Sequence, residues 1–181
     1  MPSCHYPTPV ISVFGLYFGE ADSNSGDIRV KTFNFHSEPL QDGWLDAYGH
    51  LNEAYYLVPF TNANWAMQEH FEIGVPYFDE TGCALYTLET HVRYVNEVRK
   101  PAHLDVETII LGFDPKKIWC SHMLVVNGNI CATGEMIMLH YNTRESRTAP
   151  MPDATQNMLQ DAVETDHPDW IGRRISLTGK Q

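Results

Sequence analysis

The stretch Asp46-Ala47-Tyr48-Gly49-His50-Leu51-Asn52-Glu53-Ala54-Tyr55-Tyr56 sets a carboxylate, a glycine turn and an imidazole close together, directly ahead of a helical run. The first turn of a helix has free N–H groups and about half a positive charge, so it can stabilise a developing oxyanion. A carboxylate a few residues upstream then stands where it can deprotonate water or attack a carbonyl carbon itself. Asn52 or a close neighbour suits the cap, because its side chain accepts from otherwise orphan amides. Gly49 suits the entering turn, where a positive φ or a close backbone approach excludes a side chain. On local physics alone, a capped turn without chemistry accounts for Asp46 and His50 equally well.

Around this stretch, periodicity defines the elements that must position it. A helix is expected over Asn52 to Phe71, with Leu51, Tyr55, Val58, Thr61 or Asn62, and Trp65 near a 3.6-residue period. Pro59 should kink or break its first turn, since it removes a ladder bond and crowds the carbonyl of Tyr55. Gly74 and Pro76 should end it. From Ala84 the period becomes two: Ala84, Tyr86, Leu88, Thr90, Val92 and Tyr94 alternate with Thr87, Glu89, His91 and Arg93. Further strands are expected over about Ala102 to Gly112, Lys116 to Val126 and Asn129 to Asn142, with Asp114-Pro115 and Asn127-Gly128 as turns. Upstream, one strand is expected at Ile28 to Phe35 and a short one at about His36 to Trp44, the latter confined to an edge or bulge by Pro39. Asp153 should cap a last helix running to about Glu164, stopped by His167-Pro168. The tail Trp170-Ile171-Gly172-Arg173-Arg174-Ile175 is apolar enough to dock. Residues 1–27 read as an extension with a loop at Ala21 to Asp27, and residues 28–181 as the domain.

Composition narrows the classes. A chain of 181 residues fits one domain with one substantial core. A formal charge of −11 argues against a general nucleic-acid or anionic-membrane surface, which wants a basic face. Any anionic ligand must then be held by a local basic cluster. No run has the length of a membrane span, and the start, broken by Pro7 and Pro9 without a basic n-region, does not read as a signal peptide. Cys4, Cys83, Cys120 and Cys131 form neither a C-x-x-C pair nor zinc spacing, so free thiols, a cytoplasmic location and no metal or cofactor are expected. A two-residue turn at Asn127-Gly128 would put Cys131 opposite Leu124 and not Cys120.

The motif Asp-x-x-Gly-His-Leu-Asn-x-Ala-x-Tyr resembles the entry to the central helix in hotdog-fold acyl-CoA thioesterases of the 4-hydroxybenzoyl-CoA thioesterase type, and the resemblance runs over roughly residues 36–175. It implies an α+β hotdog fold, an antiparallel sheet wrapped around a long central helix. It also implies thioester hydrolysis, with Asp46 as the reacting carboxylate and helix amides near Asn52 to Ala54 as the oxyanion hole. Together, Asp46 to Tyr56, Tyr86 to Arg93 and Gly172-Arg173-Arg174-Ile175 are similar to the betainyl-CoA thioesterases of carnitine breakdown; Pro59 and the N-terminal residues depart from that pattern. The resemblance implies an acyl-CoA substrate and a homodimer or dimer of dimers with its sites at the interface.

The candidate site residues follow. Asp46 is the leading catalytic residue, with His50 and Asn52 beside it or merely shaping the turn. Trp44, Tyr48, Trp65 and Tyr86 offer aromatic faces to an acyl group, and Glu89 and His91 offer polar ones; the alternatives are core packing and a solvated sheet face. Arg93, Arg99 and Lys100 are candidates for the CoA phosphates, against ordinary surface charge. Neither a G-x-S-x-G elbow nor a phosphate-binding glycine loop is present. A thioesterase for aromatic or medium-chain acyl-CoA and a non-catalytic acyl-CoA binding module remain as other readings, separable with a panel of acyl-CoA substrates assayed by thiol release.

Overall fold

The computed structural model describes residues 30–175; the expectations for the N-terminal extension, its loop and Ile28 lie outside the described residues. Six antiparallel strands form one sheet: β1 (Phe33–Pro39), β2 (Cys83–Tyr94), β3 (His103–Asp114), β4 (Lys117–Val126), β5 (Asn129–Asn142) and β6 (Arg147–Thr148). Their order is β1-β3-β4-β5-β2, with β6 pairing β5. The curled sheet wraps the long helix α1 (Leu57–His70), the hotdog arrangement that the resemblance implied. Two shorter helices, α2 (Val75–Thr81) and α3 (Asp153–Ala162), complete the domain.

Helix α1 packs Phe60, Ala63, Met67 and the following Phe71 against the sheet, all essentially inaccessible to water. Burying one such large apolar side chain is worth roughly 1.5–3 kcal/mol. Gly134 on β5 makes the approach possible: a Cβ there would stand 2.8 Å from Cδ2 and Cε2 of the Phe60 ring. The buried stripe therefore differs from the expected one. Tyr55, Thr61 and Trp65 are exposed, whereas Tyr56, Phe60, Ala63, Asn64 and Met67 face the sheet. Asn64 is admitted to the core because His122 Nε2 lies 2.8 Å from its Oδ1, while His122 Nδ1 lies 2.8 Å from Thr108 Oγ1. As the amide is placed, with its Nδ2 on the Met136 sulfur, Oδ1 only accepts, so the neutral imidazole carries its proton on Nε2.

Several boundaries are corrected. A 3-10 turn over Glu53–Tyr56 precedes α1, so the chain enters the helix through the broken first turn expected of Pro59. Pro59 itself lies in the first turn of α1, where a missing N–H costs no ladder bond. Helix α1 ends before Glu72, which takes the left-handed φ of 60°, and Pro76 starts α2 instead of ending α1. The two strands expected before Trp44 are one, β1, followed by a 3-10 turn at Asp42–Trp44. Asp153 does not cap α3; Pro152 holds that position without a side-chain bond.

Two β-bulges override the simple alternation. On β2 the register shifts between Thr87 and Glu89. Leu85 and Thr87 oppose the buried His140 and Met138, whereas Thr90 and Val92 oppose Met136 and Gly134. Directly opposed residues share a face, so Ala84 and Tyr86 lie on the outer face, apart from Thr90, Val92 and Tyr94. At the β4–β5 turn both Asn127 and Gly128 have positive φ, as a two-residue hairpin of the I′ kind requires. Leu124 nevertheless opposes Ala132, not Cys131, because a register shift follows. Cys83, Cys120 and Cys131 are free and buried. The outer face carries a small cluster of Ile109, Leu111 and Met123, with Val30, Trp170 and Ile171 packed on it.

Candidate functional site

A tight loop presents Asp46. Leu45 and Leu51 form an isolated antiparallel bridge at its stem, and Asn52 N–H donates to Trp44 O at 2.9 Å. Asp46 N–H donates to His50 O at 2.8 Å, and Gly49 N–H donates to Asp46 O at 3.1 Å. Gly49 has φ +76°, a conformation that strains any L side chain. Inside this loop Asp46 Oδ1 accepts from Tyr48 N–H at 2.8 Å and from His50 N–H at 3.1 Å. The His50 amide bond is the main reason its carboxyl is held below the usual range; desolvation opposes it, and Tyr48, His50 and Arg99 add smaller lowering effects. Asp46 is thus ionised at neutral pH, with no hydrogen bond to Oδ2 among the described residues.

The loop runs straight into the helix entry. Asn52 is the cap: its Oδ1 accepts from Ala54 N–H at 3.0 Å, worth about 0.5–2 kcal/mol relative to alanine. This changes the expectation for the oxyanion donors. The Asn52 amide is spent on Trp44 O and the Ala54 amide on the cap, which leaves Glu53 N–H as the uncommitted donor of the three.

The connection between β2 and β3 closes over the loop. Leu51 N–H donates to Val98 O at 2.8 Å, and Val98 is buried. His50 Nε2 is sealed from solvent and lies 3.1 Å from Glu97 Oε2 without the alignment of a hydrogen bond. Arg99 donates from Nη1 to Tyr48 O at 3.2 Å and approaches Glu97 through Nη2 at 3.4 Å. The sequence reading passed over Glu97. Its signal was the alternation Glu97-Val98-Arg99, which puts two opposite charges on one side of an extended segment and an apolar anchor on the other.

The other expected site residues are dispersed over the chain. Trp44 stacks on Tyr55, with centroids 6.0 Å apart and planes at 15°. Tyr86 meets Tyr141 edge-on at 5.7 Å. Tyr48 is 80% exposed at the loop tip and Trp65 48% exposed on α1. No ring contact joins Trp44, Tyr48, Trp65 and Tyr86 to one another among the described residues. Glu89, His91 and Arg93 share the outer face of β2, His91 opposite Glu135 and Arg93 opposite Thr133. Arg99 and Lys100 already have carboxylate neighbours, Glu97 and Asp42. A shallow depression lined by Leu57, Val58, Thr61 and Asn62 lies on the exposed flank of α1. Among the described residues no cluster of His, Cys, Asp or Glu has metal-binding geometry, and no helix is long and apolar enough to cross a membrane.

Residues 40–159 match the family model described as the thioesterase-like superfamily. Over 144 residues the chain is 37% identical to an L-carnitine dehydrogenase/betainyl-CoA thioesterase of Agrobacterium fabrum, covering 77% of this chain and 30% of that one. The chain therefore spans less than a third of that fused relative. It is 30% identical over 148 residues to a betainyl-CoA thioesterase of Pseudomonas aeruginosa, covering 78% of this chain and 93% of that one. A hypothetical protein of Staphylococcus aureus, solved in complex with CoA, superposes with a TM-score of 0.73 at 20% identity, covering 86% of this chain and 99% of that one. At that identity the likeness is one of fold.

Proposed function

This chain belongs to the thioesterase-like superfamily, and from that premise we propose that it hydrolyses a short acyl-CoA thioester, betainyl-CoA first among the substrates, at Asp46. Either Asp46 takes a proton from a water whose oxygen attacks the thioester carbonyl carbon, or the carboxylate attacks that carbon itself and water then hydrolyses the mixed anhydride so formed. In both, the C–S bond breaks and CoA leaves as a thiol once protonated. The net products are the free acid and CoA. The observation that carries this reading is the ionised Asp46 carboxylate, fixed through Oδ1 by two amides while Oδ2 stays uncommitted, in a loop leading straight into a capped helix entry. A general base contributes about 10²–10⁴-fold to such a step. Asn52 acts by shaping the entry, and the Glu53 amide is the donor best placed to meet the oxyanion.

The substrate rests on two supports. The relatives named above carry betainyl-CoA in their names. A trimethylammonium group has no N–H to donate, so charge and aromatic faces must recognise it, each cation–π contact contributing about 0.5–2 kcal/mol. Exposed Trp65 and Tyr86 have faces to offer, as has Tyr48 at the loop tip. Trp44, held against Tyr55, offers one face at most. Glu89 and His91 complete the acyl subsite, and Arg93 is the candidate cation for CoA that no acidic side chain engages among the described residues. Strand β2 is an edge of the sheet, and an unpaired edge invites pairing. A homodimer joined along β2 puts Glu89 and His91 at the subunit boundary. Free buried thiols suit a reducing, cytoplasmic setting.

The test compares betainyl-CoA with 3,3-dimethylbutyryl-CoA, which has carbon in place of the ammonium nitrogen, by thiol release from wild type and Asp46→Asn. The expected result is a preference of about tenfold or more for betainyl-CoA, near 1.4 kcal/mol. Asp46→Asn should lower turnover of both by at least about 10²-fold. Equal specificity constants for the two substrates would remove the cation reading. A well-folded Asp46→Asn protein with wild-type turnover would remove Asp46.

A further inference from the structure

The two amides that hold the Asp46 carboxylate belong to Tyr48 and His50. Each of these residues is tied again, at its other polar group, to the same short segment. Arg99 takes the Tyr48 carbonyl at 3.2 Å, and Glu97 stands 3.1 Å from His50 Nε2. Glu97 and Arg99 also touch each other at 3.4 Å, so the two ties are one assembly. Between them Val98 is buried and its carbonyl accepts from Leu51 N–H at 2.8 Å, anchoring the segment to the far stem of the loop. The hydrogen bonds inside the loop set its turn, while the ties from Glu97, Val98 and Arg99 hold that turn against the rest of the domain.

We propose that Glu97-Val98-Arg99 is a strap that positions the Asp46 carboxylate, with Glu97 and Arg99 as positioning residues acting through His50 and Tyr48. The proposal rests on the reading of Asp46 as the reacting group. It also assigns Arg99 away from CoA phosphate binding, because its guanidinium already meets the Tyr48 carbonyl and the Glu97 carboxylate. His50 has its place in this scheme too: Nε2 is sealed from solvent and faces Glu97, so the ring links the strap to the amide on Asp46. A displacement on the order of 1 Å at a reacting group can cost about 10²-fold in rate. Loosening one of two ties should cost less than that, and removing both should add little, since either break frees the same loop.

The experiment measures kcat and KM for betainyl-CoA and acetyl-CoA, with melting temperature, in Glu97→Ala, Arg99→Ala, their double variant, Glu97→Gln, Arg99→Lys and Asp46→Asn. Arg147→Ala, remote from the loop and paired with Glu145, controls for loss of a surface charge. Each single alanine variant should lose about tenfold in kcat while KM stays within about twofold, and the double variant should match the worse single one. Glu97→Gln keeps an oxygen of the same reach beside the imidazole and Arg99→Lys a donor for the Tyr48 carbonyl, so both should recover to within about threefold of wild type. Melting temperatures should stay together, because both side chains are largely exposed. A rise in KM at constant kcat would overturn the strap in favour of a CoA contact. Unchanged kinetics, or variants that fail to fold or lose kcat in step with stability, would overturn it as well. Asp46→Asn separates the two levels: if it is inactive while both alanine variants are fully active, only the strap fails. If it is fully active, the underlying reading fails and takes the strap with it.

Discussion

Lowering the pH from about 7.5 to about 5 should remove about 2 kcal/mol of folding stability through His122 alone. The imidazole is completely buried, with the Phe60 ring stacked against it at 5.6 Å, and burial depresses its pKa to about 3 from the ordinary 6.5. In the folded protein it is therefore neutral; in the unfolded chain it binds a proton below about pH 6.5. Stability is fully present above the unfolded value, declines as pH falls through 6.5, and stops declining only near the folded value. At pH 5 the group lies about 1.5 units below its unfolded pKa, and at about 1.36 kcal/mol per unit this gives the stated figure. The result does not depend on the depth of the folded pKa, provided it lies below about 4. Urea unfolding at the two pH values is the assay, with His122→Gln as reference, since a glutamine can bond Asn64 and Thr108 but does not titrate. The variant should be less stable at pH 7.5 and have a pH dependence smaller by about 2 kcal/mol. Subtraction cancels His70 and His140, which burial also depresses. Equal pH dependence in the two proteins, or a His122 ring titrating near pH 6 by NMR, would refute the reasoning.

Two further outcomes are expected. Gly134→Ala should destabilise the fold by about 1–3 kcal/mol by overpacking, lowering the melting temperature by several degrees, because its Cβ meets the rigid Phe60 ring at 2.8 Å; Phe60→Leu in the same chain should recover part of the loss, and an unaffected Gly134→Ala protein would mean α1 can retreat freely. Light scattering on a sizing column should give twice the chain mass at micromolar concentration, and Leu88→Arg on the exposed β2 bulge should shift it toward one; a wild-type monomer would rule out pairing along β2.

What the sequence by itself determined is the order of elements and the local chemistry of the loop. Asp46, Gly49 and Asn52 act through neighbours within five residues, so backbone geometry and side-chain reach were readable from spacing. The Asn127-Gly128 hairpin and the broken helix entry at Pro59 were legible for the same reason. Where a residue's role depends on register, spacing misled. The β2 bulge after Thr87 moves Tyr86 to the outer face, the bulge after Asn127-Gly128 displaces Cys131, and the buried stripe of α1 is Phe60, Ala63, Asn64 and Met67, not the one through Thr61 and Trp65. In each case the deciding partner is far along the chain: Gly134 opens space for Phe60, and His122 with Thr108 satisfies a buried Asn64. Asn64 is polar and Gly134 featureless until both are seen together, so no hydrophobic period could place the helix. The contact of Glu97 and Arg99 with the Asp46 loop is of the same kind. About fifty residues separate them in sequence, and only the closing of β2 and β3 against the helix entry brings an exposed acid and base to the two residues that hold the carboxylate.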